Sequence, residues 1–303
     1  MKKNTLTIGT RGSKLALIYA EKVKNELNKI FPNEIKLKKI VTTGDQKQDQ
    51  RLSDIGGKGL FAEQIEKELL NEDIDIAVHA LKDMPTIETE SLLTNNFLKR
   101  NSPNEILISK NNTKFEDLAP DSIIGTSSFR REFQLKKKRS DLKYKLIRGN
   151  VDTRIQKLEK GEFDAIILSK AGIDSLKLQN KITQEFSVDE LIPCAGQGII
   201  AIQCKKNDSD IIDLLEKIND IESRIVANAE REVLKVLEGD CDTAVGVFAK
   251  ITGENVDLVT ELFSVDGKMR YFIRETVKKD KIQTVSRMIG EKLKLQSKGS
   301  YKN

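Results

Sequence analysis

Short apolar runs alternate with amphipathic stretches along the first part of the chain. Residues 6–8 and 35–41 are apolar runs of strand length, and residues 14–30 between them carry apolar side chains at helical spacing. A further helix is predicted at 60–70, and the continuous apolar run 74–78 is typical of a strand buried on both faces. This alternation predicts helices packed on a mostly parallel sheet.

The same order of elements returns from about residue 105. Strands are predicted at 106–109, 123–125, 145–147 and 165–168, with helices at 131–138 and 152–160. The chain then turns at Gly196-Gln197-Gly198 into a strand at 199–203 and a helix at 211–218. We predict two α/β lobes: domain 1 over residues 1–99 and 199–218, with a lid loop at 44–59, and domain 2 over residues 104–193.

The pattern changes after residue 218. A long amphipathic helix is predicted at 221–237, then strands at 244–251, 256–265 and 269–277, and a final helix at 282–295. Asp266-Gly267 joins the last two strands and is a hairpin signal. We predict a smaller α+β C-terminal domain over residues 221–303, with a frayed tail at 297–303.

Two predicted strand ends carry the same short sequence, Gly-Thr followed by serine and arginine at the start of a helix. The first is Gly9-Thr10-Arg11-Gly12-Ser13, and the second begins at Gly125-Thr126 and ends at Arg130-Arg131. A helix N-terminus offers unpaired N–H groups and the positive end of a dipole, and guanidinium groups pair well with carboxylates and phosphates. Two such turns predict a cleft between two lobes that holds one multiply anionic ligand. Other basic residues follow predicted strands at the same sheet edges, where open α/β sheets bind ligands: Lys82, Arg148 and Lys170.

Composition narrows the class of protein. With 303 residues, 38% hydrophobic content and a net charge of +5, the chain fits a globular protein of two or three domains. There is no apolar run of membrane-spanning length and no signal-peptide core, so we expect a cytoplasmic protein without a membrane segment. The basic run 136–139 has no interleaved aromatic residues, which favours solvated helix surface over a nucleic-acid site. Three cysteines without a CxxC pair and a single histidine predict neither a disulfide framework nor a metal centre.

Three residues could carry chemistry. Asp83 has two interpretations. It is a structural residue that forms a surface ion pair or caps a helix, or it is a carboxylate in a cleft crowded by cations, where it stays ionised and stabilises a developing positive charge. His79 is more often structural at such a position, and a catalytic role stays open. Cys241 lies in a Gly-Asp-Cys-Asp turn and is either a plain free thiol or a thiol that takes part in chemistry. Cys194 and Cys204 have apolar neighbours and are expected in the core.

These segments together resemble the hydroxymethylbilane synthases, also called porphobilinogen deaminases, over nearly the whole chain. The resemblance implies two lobes built like periplasmic binding proteins, a third domain, and a covalent dipyrromethane cofactor. It implies a transferase that condenses four porphobilinogen molecules head to tail, each losing ammonia, and releases the linear tetrapyrrole hydroxymethylbilane. The segments that carry the resemblance are Ile8-Gly9-Thr10-Arg11, Gly56-Gly57-Lys58-Gly59-Leu60-Phe61, Asp75-Ile76-Ala77-Val78-His79, Lys82-Asp83, Gly125-Thr126-Ser127-Ser128 with Arg130-Arg131, Arg148-Gly149-Asn150-Val151 with Thr153-Arg154, Gly196-Gln197-Gly198, and Glu238-Gly239 with Cys241.

The resemblance also implies roles for individual residues. Cys241 would hold the dipyrromethane through a thioether, and Asp83 would contact pyrrole N–H groups and stabilise the cationic azafulvene left after deamination. Lys58 would belong to the lid. The cofactor carboxylates would be held by Lys82, Ser13, Thr126, Ser128, Arg130 and Arg131, and the substrate or the growing chain by Arg11, Arg148 and Arg154. Four positions depart from the family pattern, since Asp54, Ala80, Ser175 and Ala244 replace a lysine, a serine, an arginine and a proline in turn.

Two other functions compete with the enzyme. A non-catalytic, two-lobed anion-binding protein would explain the twin Gly-Thr turns, but it would explain neither the third domain nor its cysteine turn. A basic nucleic-acid-binding protein is the weaker alternative, because aromatic residues make up only 5% of the chain. For the enzyme we expect a small-molecule substrate, a monomer, and no nucleic-acid partner.

Overall fold

A computed structural model describes residues 4–46, 59–239 and 242–302. The strands, in chain order, are β1 (Thr5–Arg11), β2 (Glu34–Ile40), β3 (Ile76–Ala80), β4 (Leu92–Phe97), β5 (Glu105–Ser109), β6 (Ile123–Gly125), β7 (Lys143–Lys145), β8 (Ala165–Ser169), β9 (Gln184–Phe186), β10 (Ile200–Lys205), β11 (Val245–Thr252), β12 (Asn255–Phe263) and β13 (Arg270–Lys278). The helices are α1 (Lys14–Leu27), α2 (Thr43–Gln46), α3 (Gly59–Leu70), α4 (Phe129–Lys138), α5 (Val151–Glu159), α6 (Lys170–Ser175), α7 (Ser209–Glu216), α8 (Ile221–Leu237) and α9 (Ile282–Ser297).

Two five-stranded sheets share one plan. The first has the order β2-β1-β3-β10-β4, with β1 parallel to β2 and β3, and β10 antiparallel to both of its neighbours. The second has the order β7-β6-β8-β5-β9, and here β5 is the strand that opposes the others. In each sheet one strand therefore runs against four, which confirms the predicted mostly parallel sheets. The carboxyl ends of the central strands lie at one edge of each sheet.

Each lobe is held by its own apolar core. In the first lobe, α1 buries Ala20, Val23 and Leu27 against strand residues such as Ile8 and Val78. In the second lobe, residues of the central strands pack against residues of α4 and the following loops; they include Leu107, Ile124, Leu135, Leu142 and Ala165. Full burial of a leucine or isoleucine side chain contributes about 1.5–3 kcal/mol, so these cores hold the strand ends, and the loops that follow them, in place.

The C-terminal unit is a three-stranded antiparallel sheet, β11-β12-β13, covered by α8 and α9, as the predicted α+β composition requires. The prediction of a frayed tail is wrong. Tyr301 is buried, its hydroxyl donates to the Leu237 carbonyl at 3.1 Å, and Lys302 pairs with Glu238. The Tyr301 ring is buried near the end of α8. Because the residues next to Tyr301 in sequence are polar, the local pattern did not predict this packing.

The two chain crossings between the lobes meet at one buried carboxylate. Glu230 of α8 has no exposed surface and accepts hydrogen bonds from Arg100 Nη1 at 2.6 Å, Gly196 N at 2.7 Å and Ala249 N at 2.8 Å. Arg100 lies in the first crossing and Gly196 in the second, while Ala249 belongs to β11. The junction of the three units is thus tied together by hydrogen bonds to one side chain. The residue limits predicted for the three domains stay a prediction.

Several short elements escaped the sequence patterns. Strands β4 and β9 and helix α6 were not predicted, and β7 lies two residues before the predicted strand 145–147. These elements are polar or very short, so they lack the apolar periodicity on which the predictions rest. Among the described residues no helix is both long and apolar enough to cross a membrane.

Candidate active site

A cavity of about 220 Å³, here called the cleft cavity, lies between the two lobes at the carboxyl ends of the central strands. Lys82 of the first lobe reaches across it, and its Nζ lies 3.4 Å from the Ser169 hydroxyl of the second lobe. The lining from the first lobe is Arg11, Ser13, Lys14, Leu15, Gly44, Phe61, Lys82 and Asp83, and the lining from the second is Ser127, Arg131, Arg148, Gly149, Asn150, Val151, Asp152, Arg154, Leu168, Ser169 and Leu176. Seven predicted site residues are therefore brought together: Arg11, Ser13, Lys82, Asp83, Arg131, Arg148 and Arg154.

The two Gly-Thr turns form helix N-termini, as the sequence predicts. Ser13 caps α1 and accepts a hydrogen bond from Ala16 N at 3.3 Å, and Ser128 caps α4 and accepts from Arg131 N at 3.4 Å. Thr126 is buried, and its hydroxyl accepts from Ser128 N at 3.1 Å. Ser13 lines the cleft cavity, but Thr126 and Ser128 are not among its lining residues. In this structure the second pair of hydroxyls shapes the turn.

The charge of the cleft cavity is strongly unbalanced. Its described lining contains two acidic residues, Asp83 and Asp152, and six basic ones: Arg11, Lys14, Lys82, Arg131, Arg148 and Arg154. Arg154 shows the consequence, because burial, together with the nearby charges of Arg131 and Arg148, lowers its pKa to about 10. Its Nε donates to the Gly149 carbonyl at 2.8 Å, which fixes the side chain. Cations held this close together are suited to a ligand that carries several negative charges.

Arg130 and Arg131 are anchored by a carboxylate that the sequence did not single out. Glu105, at the start of β5, has no exposed surface. It accepts from Arg130 Nη2 at 2.7 Å and from Arg131 Nε and Nη2 at 3.0 and 2.8 Å. Arg130 also donates to the Ile192 carbonyl and does not line the cleft cavity, whereas Arg131 does. Burial alone would raise the pKa of Glu105, but Arg131 and Arg130 outweigh burial and lower it to about 2.

Replacing Glu105 by glutamine is expected to lower the free energy of unfolding at pH 7 by about 3 kcal/mol or more, because two guanidinium groups lose their buried partner. The folded-state pKa of about 2 lies below the ordinary value of 4.5. The ionised carboxylate therefore stabilises the fold above about pH 4.5, and that stabilisation is lost as the pH falls toward 2. Urea unfolding of both proteins should show their difference shrinking over this range.

The matched control for this prediction is Glu132→Gln. Glu132 lies on α4, the helix that carries Arg130 and Arg131, and pairs with the half-exposed Lys136 at 2.9 Å. That change is expected to alter stability by under about 1 kcal/mol. A Glu105→Gln protein as stable as the control would contradict the anchoring of the two arginines.

Asp83 lies at the end of a single 3-10 turn, Leu81–Asp83, which directly follows β3. Leu81 is buried and holds this turn, so that Lys82 and Asp83 enter the cleft cavity together. Burial and the negative charge of Asp83 raise the pKa of Tyr19 to about 12. In the same lobe, the Arg11 guanidinium lies 3.9 Å from the centre of the Phe61 ring, which holds that cation by a cation–π contact.

A second, smaller cavity of about 50 Å³ adjoins the first at Asp83 and is here called the small cavity. It is lined by Arg11, Ser13, Leu15, Ala16, Tyr19, Phe61, Val78, His79, Ala80 and Asp83. His79 is buried, and burial lowers its pKa to about 4, so the imidazole is neutral at pH 7. Its Nε2 lies 3.2 Å from Gln203 Oε1.

Several predicted features fall outside the described residues: Cys241, Lys58, Asp54 and most of the predicted lid loop. Of that loop, residues 44–46 belong to α2 and Gly59 begins α3. The chain before the cysteine turn is anchored, because the Thr86 hydroxyl donates to the Gly239 carbonyl at 2.6 Å and Arg231 Nη2 donates to the Pro85 carbonyl at 2.9 Å. Residue 239 therefore lies against the segment that follows Asp83.

The structure adds residues that sequence reasoning missed. Phe61, Ser127 and Ser169 line the cleft cavity, and Gly44 lies so close to the Phe61 ring that any side chain there would collide with it. Phe61 and Ser127 lie inside segments that carry the family resemblance, and that resemblance was the available signal.

Position 175 is one of the four that depart from the family pattern. The Ser175 hydroxyl lies 3.4 Å from Lys22 Nζ of α1, across the gap between the lobes. Among the described residues, no group of three or more His, Cys, Asp or Glu residues could hold a metal ion.

Comparison with known proteins places these features in a family. The profile of the porphobilinogen deaminase dipyromethane cofactor binding domain matches residues 6–213, and that of the porphobilinogen deaminase C-terminal domain matches residues 225–296. The chain belongs to the porphobilinogen deaminase family. Porphobilinogen deaminase from Bacillus cereus (strain B4264) is 42% identical over 275 residues, covering 90% of this chain and 88% of the relative. That from Bacillus subtilis (strain 168) is 40% identical over 276 residues, covering 90% and 87%.

Among solved structures, a YaeC-family lipoprotein from Enterococcus faecalis V583 is similar, with a TM-score of 0.45 at 11% identity. The alignment covers 73% of this chain and 93% of the lipoprotein. The porphobilinogen deaminase assignment confirms the family predicted from the motifs, together with the transferase class and the dipyrromethane cofactor.

Proposed function

We propose that the cleft cavity is the active site of this member of the porphobilinogen deaminase family, in which four porphobilinogen molecules are joined head to tail into hydroxymethylbilane. The observation that carries this proposal is the set of six basic side chains, from both lobes, around the carboxylate of Asp83. Porphobilinogen carries an acetate and a propionate group, so a growing chain of pyrroles is a string of carboxylates. Those carboxylates would be neutralised by the arginines that now repel each other.

The residues present fit the dipyrromethane cofactor. Burial lowers the pKa of Arg154, and the nearby charges of Arg131 and Arg148 add to that effect; acetate and propionate groups would relieve this repulsion. The hydroxyls of Ser13, Ser127 and Ser169 line the same walls. Lys82, Arg131 and Ser13 would hold the cofactor, with Thr126, Ser128 and Arg130 supporting the turn beneath them. When bound through Cys241, the cofactor supplies the pyrrole carbon to which the first substrate is joined.

Asp83 would act on the charge that develops in the reaction. Loss of ammonia leaves the substrate pyrrole electron-poor, and a fixed carboxylate beside the pyrrole N–H stabilises that positive charge. Lys82 and the arginines would hold the carboxylates of the substrate, so that the reacting carbons are kept at the same place. Arg11, Arg148 and Arg154 would bind the incoming substrate or the elongating chain, and Lys58 would belong to the lid.

Incubation of the purified chain with porphobilinogen tests this function. We expect one ammonia released for each porphobilinogen consumed, and one linear tetrapyrrole for every four, measured by ammonia assay and by absorbance after cyclisation and oxidation. Binding of porphobilinogen without release of ammonia would favour the alternative of a non-catalytic anion-binding protein. The cytoplasmic location, the monomeric state and the lack of a nucleic-acid partner stay predictions.

A further inference from the structure

His79 lies near the end of β3, four residues before Asp83, at the head of a buried chain of polar side chains. Its Nε2 contacts Gln203 Oε1 at 3.2 Å, and Gln203 Nε2 donates to Glu66 Oε1 at 2.9 Å. The Thr89 hydroxyl donates to the other Glu66 oxygen at 2.7 Å. These contacts link β3 to β10, β10 to α3, and α3 to the loop before β4, so the orientation of the imidazole is fixed.

The chain of contacts also fixes the position of the imidazole proton. A carboxylate accepts hydrogen bonds and cannot donate them, so the NH₂ group of Gln203 must face Glu66 and its oxygen must face His79. An oxygen acceptor at 3.2 Å requires a proton on Nε2. In the neutral imidazole, Nδ1 therefore carries a lone pair and can only accept a hydrogen bond. Among the described residues, the contact with Gln203 is the only hydrogen bond of the imidazole.

The acceptor belongs to a side chain that lines the small cavity. Asp83 and Arg11 line both this cavity and the cleft cavity, and Tyr19 and Ala80 also line the small cavity. Arg11, Asp83 and Glu66 are the charged groups that act on His79. The small cavity is therefore a side chamber of the proposed active site, and the two cavities share Asp83.

We propose that His79 is a further catalytic residue, whose Nδ1 accepts a hydrogen bond from the aminomethyl group of porphobilinogen while Asp83 holds the pyrrole N–H. This inference rests on the proposed role of Asp83. In porphobilinogen only two carbon atoms separate the aminomethyl nitrogen from the pyrrole nitrogen, so a pyrrole held at Asp83 places its amine within reach of the small cavity. A neutral acceptor there orients the ammonium group without adding positive charge.

The step balances without a proton on His79. The bond between carbon and nitrogen breaks, its electron pair leaves on nitrogen as ammonia with all three hydrogens, and the positive charge moves to the pyrrole, next to Asp83. The imidazole only orients the leaving group. A protonated imidazole would present an N–H at Nδ1 and repel the ammonium group, which gives a chemical reason for burying this histidine in its neutral form.

Nitrogen NMR reads this site directly, because the chain contains a single histidine. In ¹⁵N-histidine-labelled holoenzyme we expect protonated Nε2 and unprotonated Nδ1 from pH 5 to pH 8. In the labelled Asp83→Asn holoenzyme, whose amide oxygen can still accept a hydrogen bond from the pyrrole N–H, porphobilinogen should shift the Nδ1 signal, and the same pyrrole with methyl in place of aminomethyl should not. A proton on Nδ1, or equal shifts with both pyrroles, would overturn the proposal.

Two variants test the same contact by kinetics. Asparagine at position 79 puts its amide near the site of Nδ1, whereas glutamine puts its amide near the site of Nε2. We expect His79→Gln to lower kcat/KM by about tenfold or more, as for loss of a hydrogen bond to a charged group, and His79→Asn to lose several-fold less than His79→Gln. Equal losses in both variants of matched thermal stability, or none in His79→Gln, would sink the inference. Failure of the wild-type chain to release ammonia would instead refute the proposed function.

Discussion

Replacing Asp83 by asparagine is expected to lower kcat by about 10²–10³-fold, while the fold and the covalent cofactor remain. The amide keeps the size of the carboxylate but removes the negative charge that faces the electron-poor pyrrole after ammonia leaves. Arg11, Lys82 and Arg131 would then surround a neutral group. Single-turnover and steady-state rates, with intact mass spectrometry for the cofactor, measure the two parts of this prediction separately.

Asp152 offers a matched control in the same cavity. It also lines the cleft cavity, near the N-terminus of α5, but the proposed mechanism gives it no role. Asp152→Asn is expected to keep kcat within about threefold of the wild type, because only a change of local charge is involved. Near-normal turnover in Asp83→Asn, or an equal loss in both variants, would show that the catalytic carboxylate has been misassigned.

Replacing Cys241 by serine is expected to abolish both the covalent adduct and turnover. In the proposed enzyme the first substrate is joined to a pyrrole that is tethered through this sulfur, and the serine hydroxyl is a much weaker nucleophile than a thiol toward the electrophilic cofactor precursor. Intact mass spectrometry of the purified wild type should show an addition equal to one dipyrromethane, and the variant should have the mass of its sequence alone.

Cys194→Ser is the control for this loss, because Cys194 is a partly exposed thiol in the described structure. Its sulfur donates a weak hydrogen bond to Gln197 Oε1 at 3.5 Å, and the adduct should survive its removal. A dipyrromethane adduct that persists in Cys241→Ser and disappears in Cys194→Ser would move the attachment point. An active wild type without any adduct would refute covalent attachment altogether.

The fold was predictable where burial and periodicity coincide. Strands such as β3 and β8 are continuous apolar runs, so their type and position follow from sequence. Strand β4 was missed because two of its inward positions are Thr94 and Asn96, which are buried although polar. Asn96 donates to Glu216 at 3.0 Å, so a partner 120 residues away decides its burial. Local pattern carries no information on such a partner.

The candidate site was predictable at the level of its turns. The two Gly-Thr segments do begin helices, and Arg11 and Arg131 do line the cleft cavity. The different surroundings of the neighbours Arg130 and Arg131 were not predictable. Both pair with the buried Glu105, but Arg130 also donates to the Ile192 carbonyl, whereas Arg131 donates to the Ile167 carbonyl and lines the cleft cavity. Local sequence alone could not assign Arg130 and Arg131 to different surroundings.

Glu230 has a mechanical consequence for a site that must accommodate a lengthening product. Its carboxylate ties Arg100 of one crossing and Gly196 of the other to the middle of α8, and α8 ends just before Gly239, which is fastened to Thr86. We therefore expect any rotation of one lobe against the other to pivot at Glu230 and to swing α8 with it. Helix α8, which leads to the cysteine turn, would then move whenever the gap between the lobes opens or closes.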